Sequence, residues 1–93
     1  MLNIQPIIHE VQTKNLGKVK IRVLTLKEVI ESEIQNKGKD GQVNETLQMF
    51  DMLSKAIVEP EVTLQDLQNL PITYLSDLTE LVSYATGNIQ EEE

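Results

Sequence analysis

The sequence predicts an α+β domain in which an N-terminal β-hairpin packs on a small, mostly helical domain of about four helices. Two segments rich in β-branched residues, 7–12 and 18–25, flank a short turn. The rest of the chain carries apolar residues at helical spacing between capping residues and prolines. Because the chain has 93 residues, we expect a single domain over 1–87, followed by a flexible acidic tail over 88–93.

The predicted hairpin has one buried and one solvated face. Its turn contains Asn15 and Gly17, which can both adopt positive φ. In the second strand, apolar residues alternate with Lys18, Lys20 and Arg22. This basic face suits either a phosphate contact or the protection of a sheet edge against aggregation. Since no aromatic residue lies among these side chains to stack on a base, we expect no nucleic-acid binding.

Two capping signals place the first two helices. Thr25 followed by Glu28 forms a capping box at the start of helix 1, whose end is expected near Gly38. Asn44 can cap helix 2 in the same way, through its side-chain oxygen. The polar segment 36–44 between the two helices has no apolar periodicity and is predicted to be the most mobile internal loop.

Prolines divide the second half of the chain. Pro60 excludes the α conformation at the residue before it, so helix 2 is expected to stop around Val58. Thr63 with Asp66 then starts a third helix that is too short to be stable unless it docks on the core. Pro71 is expected to start the fourth helix at an angle to the third.

Each predicted helix carries an apolar row that we expect to face the core. The rows are Leu26, Val29, Ile30 and Ile34 in helix 1; Leu47, Phe50, Leu53 and Ile57 in helix 2; Leu64, Leu67 and Leu70 in helix 3; and Ile72, Leu75, Leu78, Leu81, Val82 and Ala85 in helix 4. The methionines Met49 and Met52, beside the single phenylalanine, suit either core filling or an adaptable partner groove.

Charge is distributed unevenly along the chain. The net charge of −7 divides into +4 over residues 1–27 and −11 over residues 28–93. Such asymmetry is typical of solvated faces, and it can also drive a head-to-tail contact between copies. Together with apolar helix faces larger than a chain of this size can bury, it predicts a homo-oligomer.

No arrangement of residues indicates an enzyme, a cofactor or a metal site. The chain has no cysteine, and its single histidine, His9, has no carboxylate at a ligand spacing, so we expect a structural role for it. No serine has a histidine nearby in sequence to activate it. A signal-peptide pattern and a window as apolar as a membrane helix are both missing, so we expect a soluble cytosolic protein that makes no membrane contact.

The segment 52–82, MLSKAIVEPEVTLQDLQNLPITYLSDLTELV, resembles the tail assembly chaperones of long-tailed bacteriophages and related prophages. In that family, a helix that ends in (A)IVEP is followed by an acidic L..L..LP segment and a leucine-rich last helix. The stretch GKVKIRVLTLKE at 17–28, which enters a helix, is also similar in arrangement.

The resemblance implies a non-enzymatic protein that acts in the host bacterial cytoplasm. Such a chaperone binds the tape-measure protein during tail assembly and is absent from the finished virion. The alternative is a small structural phage protein that completes the tail or joins head and tail, because the chain is shorter than many family members. The candidate partner-binding residues on the apolar rows are Phe50, Leu64, Leu67, Leu70 and Leu78.

Overall fold

The structure, a computed structural model, describes residues 5–88 and confirms the α+β class. Residues 89–93 of the predicted tail lie outside the described residues. The hairpin strands are followed by helices, with a further strand and a 3₁₀ turn between them. The elements are β1 (Ile8–Gln12), β2 (Lys18–Arg22), α1 (Leu26–Gln35), α2 (Glu45–Ala56), β3 (Ile57–Glu59), α3 (Leu64–Gln68), a 3₁₀ turn (Ile72–Tyr74) and α4 (Leu75–Ala85).

β2 is the central strand of an antiparallel sheet in the order β1-β2-β3. In the hairpin, Val11 pairs with Val19, and both side chains are buried. Of the two predicted turn residues, Gly17 adopts a positive φ of +76°, which suits a residue without a side chain, whereas Asn15 keeps a negative φ. The Gly17 carbonyl accepts hydrogen bonds from the backbone nitrogen and the hydroxyl of Thr13, at 2.9 and 2.7 Å.

The end of helix 2 differs from the prediction. α2 stops at Ala56, and the next three residues form β3 against β2. Ile57 lies opposite Ile21 and Glu59 opposite Lys20, with a register shift between the two pairs. Consecutive β-branched residues before a proline favour an extended chain over another helical turn. The sequence signals the stop, but it does not show that β2 has a free edge where this segment can pair.

The predicted caps are present in the structure. Thr25 and Glu28 form a complete capping box at the start of α1. Asn44 caps α2 through its side chain, and Thr63 with Asp66 forms a second complete box at α3. The three helix starts therefore follow from signals within a few residues of each start.

The loop between α1 and α2 is held by backbone contacts. α1 ends at Gln35, slightly before the predicted end. Lys37 and Val43 then form an isolated antiparallel bridge across the loop. Inside this bridge, Gly41 adopts a φ of +83°.

The core lies between the sheet and helices α2 and α4. At the start of the predicted fourth row, Ile72 and Leu75 are exposed instead. Ile72 lies in the 3₁₀ turn that follows Pro71, and Leu75 is the first residue of the regular helix, which begins later than predicted. The buried apolar side chains are Val11, Val19, Ile21, Leu24, Met52, Leu53, Ala56, Leu67, Leu78, Leu81 and Ala85.

A buried carboxylate connects the hairpin turn to α4. Asp77 is 2% exposed and accepts hydrogen bonds from the backbone nitrogens of Asn15 and Leu16, at 2.8 and 2.9 Å. The Asn15 side chain also donates to the Thr73 carbonyl at 3.2 Å. These bonds hold the turn against the start of the last helix.

The predicted orientation of helix 1 is wrong. Leu26, Ile30 and Ile34 are 84%, 54% and 66% exposed, whereas Ser32 on the other side of α1 is fully buried. Val29, the fourth member of the predicted row, is half-buried and packs against the core. Most of the apolar row of α1 therefore faces solvent, and the reason lies in the contacts at its first turn.

Candidate functional site

The candidate site is the outward side of α1, which we call the α1 row: Leu26, Ile30 and Ile34. These residues lie four positions apart, so their side chains follow one another along one side of the helix. α1 packs on α2 through its other side. At about 1.5 Å per residue, the α1 row forms an exposed apolar strip about 12 Å long.

Contacts at the first turn set the rotation of α1. Arg22, at the end of β2, donates two hydrogen bonds to the Glu28 carboxylate, at 2.8 and 2.6 Å. The same carboxylate accepts from the backbone nitrogen of Thr25 at 3.0 Å. A bidentate pair of this kind fixes direction as well as distance. The side of α1 that carries Glu28 therefore faces the hairpin, and the α1 row faces away.

The Arg22 guanidinium lowers the pKa of the Glu28 carboxyl from 4.5 to about 2. The hydrogen bonds from Arg22 are the largest cause, and the backbone hydrogen bond from Thr25 is the next. Glu28 is therefore ionised at neutral and mildly acidic pH. The contact that orients the helix is a charged pair under these conditions.

The inward side of α1 is polar where it is most buried. The Ser32 hydroxyl has no hydrogen-bond partner among residues 5–88. A buried hydroxyl without a partner destabilises the fold by about 1–3 kcal/mol. α1 thus buries a serine and exposes leucine and isoleucine, the reverse of what an amphipathic helix does in an isolated globular domain.

An apolar groove adjoins the N-terminal end of the α1 row. Its volume is about 760 Å³, and its walls include Ile7, Val23, Leu24 and Leu26. Ile7, just before β1, is itself 58% exposed. The groove therefore continues the apolar surface from α1 toward the base of the hairpin.

The predicted partner-binding residues differ in accessibility. Leu67 and Leu78 are 2% and 3% exposed and belong to the core. Phe50 and Leu70 are half-buried and pack against it. Leu64, at the start of α3, is 40% exposed. Leu67 and Leu78 therefore have no accessible surface for a partner in this conformation. Phe50, Leu70 and Leu64 keep part of their side-chain surface accessible.

The pattern of the sequence does not identify the α1 row as an exposed surface. Its spacing was visible, but the same spacing is expected of a helix that faces the core and of one that faces a partner. The sequence carries no local signal that separates the two, because a polar residue such as Ser32 on the other side of the helix would itself favour exposure of that side.

The basic face of β2 is largely paired with acidic neighbours. The Lys18 ammonium lies 3.2 Å from a Glu10 oxygen, and the Lys20 ammonium lies 3.7 Å from a Glu59 oxygen. Arg22 is held by α1, as described above. These pairs reduce the positive charge available to a phosphate or to an acidic second copy.

The described residues do not assemble a metal site. Among residues 5–88, no group of three or more His, Asp or Glu side chains could hold a metal ion. His9 instead packs against the ring of Tyr84, with the ring centroids 5.4 Å apart. In the same part of the chain, no helix has the length and hydropathy required to cross a membrane.

Comparison with known proteins does not assign the chain to a family. It matches no protein-family model, no curated protein and no solved structure. The inference of function therefore depends on the surface described above and on the pattern of the sequence.

Proposed function

We propose that this chain is a non-enzymatic tail assembly chaperone that binds helices of a phage tape-measure protein in the host cytoplasm. The sequence resemblance over residues 52–82 suggests the class of protein. The observation that supports it in the structure is the exposed α1 row. A chaperone of this class needs an accessible apolar strip, because its client has apolar helices that aggregate when they are not covered.

The α1 row suits a helical client. Side chains four residues apart form a ridge that packs into the groove between equivalent ridges of another helix. Lys27, Glu31 and Glu33 lie next to the row and provide a charged rim. The apolar groove beside Leu26 offers further contact area where a client helix extends past the end of α1.

Co-expression with the tape-measure protein of the same phage tests this proposal. We expect the wild-type chain to keep the client soluble and to be recovered with it in a pull-down. Ile30→Glu places a charge in the middle of the α1 row and should abolish recovery without unfolding the chain, because Ile30 is 54% exposed.

The matched control is Ile72→Glu, the same change at an isoleucine that is 80% exposed outside α1. It should leave client recovery unchanged. The proposal would be contradicted if Ile30→Glu recovered as much client as wild type, or if wild type itself recovered none.

Mass spectrometry of purified virions tests the alternative function. Abundant peptides from this chain would favour a structural virion protein.

A further inference from the structure

We infer that, in the absence of a client, two copies of this chain bind each other through their α1 rows in an antiparallel arrangement. This contact is an isologous dimer, in which the same surface of each copy meets the other across a two-fold axis. It differs from the head-to-tail contact expected from charge asymmetry, because it uses the exposed apolar row of α1 and not the basic face of β2. The inference depends on the α1 row alone and not on the identity of a client.

The charges beside the α1 row are self-complementary in this arrangement. At about 100° per residue, Lys27 and Glu31 flank the row on the same side of the helix. A two-fold axis that reverses the helix direction brings this side of one copy against the same side of the other. Lys27 of each copy then faces Glu31 of the second copy, so the ion pair forms twice.

Both charged side chains are exposed enough to make this contact. Lys27 and Glu31 are 83% and 49% exposed, and their amine and carboxylate lie 3.9 Å apart within the helix. An exposed pair at that distance contributes little on its own, so exchanging it for a pair between copies loses little.

A parallel arrangement is disfavoured by the same charges. It would place the side that carries Lys27 and Glu31 against the opposite side of the second helix, where Glu33 lies. Glu31 would then lie near Glu33 of the second copy with no lysine opposite it, whereas in the antiparallel arrangement the two Glu31 side chains near the axis each have a Lys27 opposite them. Antiparallel helices also bring opposite ends of their macrodipoles together.

The apolar residues match in the antiparallel arrangement. With the axis near Ile30, this side chain packs on its own copy, and Leu26 of one helix lies opposite Ile34 of the other. Ile34 of each copy then reaches the groove lined by Ile7 and Leu26 of the second copy. This extra contact matters, because a stable interface buries about 800 Å² per partner and one ten-residue helix provides less.

Sedimentation velocity of the full chain over a wide range of concentration tests the dimer. We expect a reversible monomer–dimer equilibrium. Lys27→Glu and Glu31→Lys should each raise the dissociation constant by about tenfold or more, because each places like charges across the interface. The double variant restores opposite charges and should return the dissociation constant to near the wild-type value.

The matched control for Lys27→Glu is Lys39→Glu, which makes the same change of charge in the exposed loop before α2. A monomeric mass at every concentration would overturn the inference. So would single variants no weaker than this control, or a double variant that does not recover. A chain that is monomeric but still captures the client would overturn the dimer and leave the proposed function standing. A chain that dimerises but captures no client would support the dimer and contradict the proposed function.

Discussion

Among single residues, Asp77 is expected to contribute clearly to the stability of the fold. Replacing it with alanine leaves the backbone nitrogens of Asn15 and Leu16 without their acceptor, so Asp77→Ala should lower the free energy of unfolding by about 1–3 kcal/mol. Urea denaturation measures this change. Glu80→Ala, at an exposed acid on the same helix, is the control and should change the value by less than about 0.5 kcal/mol. Equal losses in the two variants would show that the Asp77 contact contributes nothing specific.

Glu28 should make the stability depend on pH in the acidic range. The pKa of Glu28 in the folded chain is about 2, below its ordinary value of 4.5, so the Arg22–Glu28 pair contributes its full stabilisation at pH values above 4.5. This contribution is lost as the pH falls from 4.5 toward about 2, where Glu28 takes up a proton. In urea denaturation at a series of pH values, Glu28→Gln should therefore show a shallower loss of stability between these limits than wild type.

Glu33→Gln, at an exposed acid on the same helix, is the control for this series and should keep the wild-type slope. A Glu28→Gln variant whose stability falls as steeply as that of wild type would mean that the pair does not orient α1. In that case another contact must hold the helix in its observed rotation.

Glu28 and Asp77 also show which single-residue contacts could be predicted from the sequence. The role of Glu28 as a cap was predicted, because its partner Thr25 is three positions away. Its pair with Arg22 depends on how the chain turns between β2 and α1, which the sequence does not determine. Asp77 was not predicted at all, because its partners lie more than 60 positions earlier in the chain.

At the scale of secondary-structure elements, the starts of α1, α2 and α3 were predicted, whereas the start of α4 and the core-facing side of α1 were not. Thr25, Asn44 and Thr63 cap the helices where the sequence placed them, because capping is a local interaction. The core-facing side of a helix depends on its neighbours. For α4 the longest apolar stripe does face the core, with Leu78 and Leu81 buried, whereas for α1 the corresponding stripe faces solvent.

β3 shows the same limit for strands. Its three residues are too few for an alternating pattern, so only the stop before Pro60 was visible in the sequence. Pairing with β2 decides its conformation, with Ile57 opposite Ile21. The result is that one segment both ends α2 and completes the sheet.

At the scale of the whole molecule, the fold divides into a core and a peripheral helix. The sheet, Leu24 after β2, and helices α2, α3 and α4 supply the buried apolar side chains, and α1 adds a buried serine. Most of the apolar row of α1 is thus left exposed to solvent. Because the proposed client and the inferred second copy use the same α1 row, the two complexes exclude each other.

The outward orientation of the α1 row is tested most directly by comparing Leu26→Ala with Leu81→Ala in equilibrium urea denaturation. Both changes remove the same atoms from a helix, but Leu26 is 84% exposed and Leu81 is fully buried. At a protein concentration low enough to keep the chain monomeric, Leu26→Ala should change the free energy of unfolding by less than about 0.5 kcal/mol. Leu81→Ala should lower it by about 2–5 kcal/mol. A loss at Leu26 as large as that at Leu81 would place the α1 row in the core and contradict both the proposed client surface and the dimer.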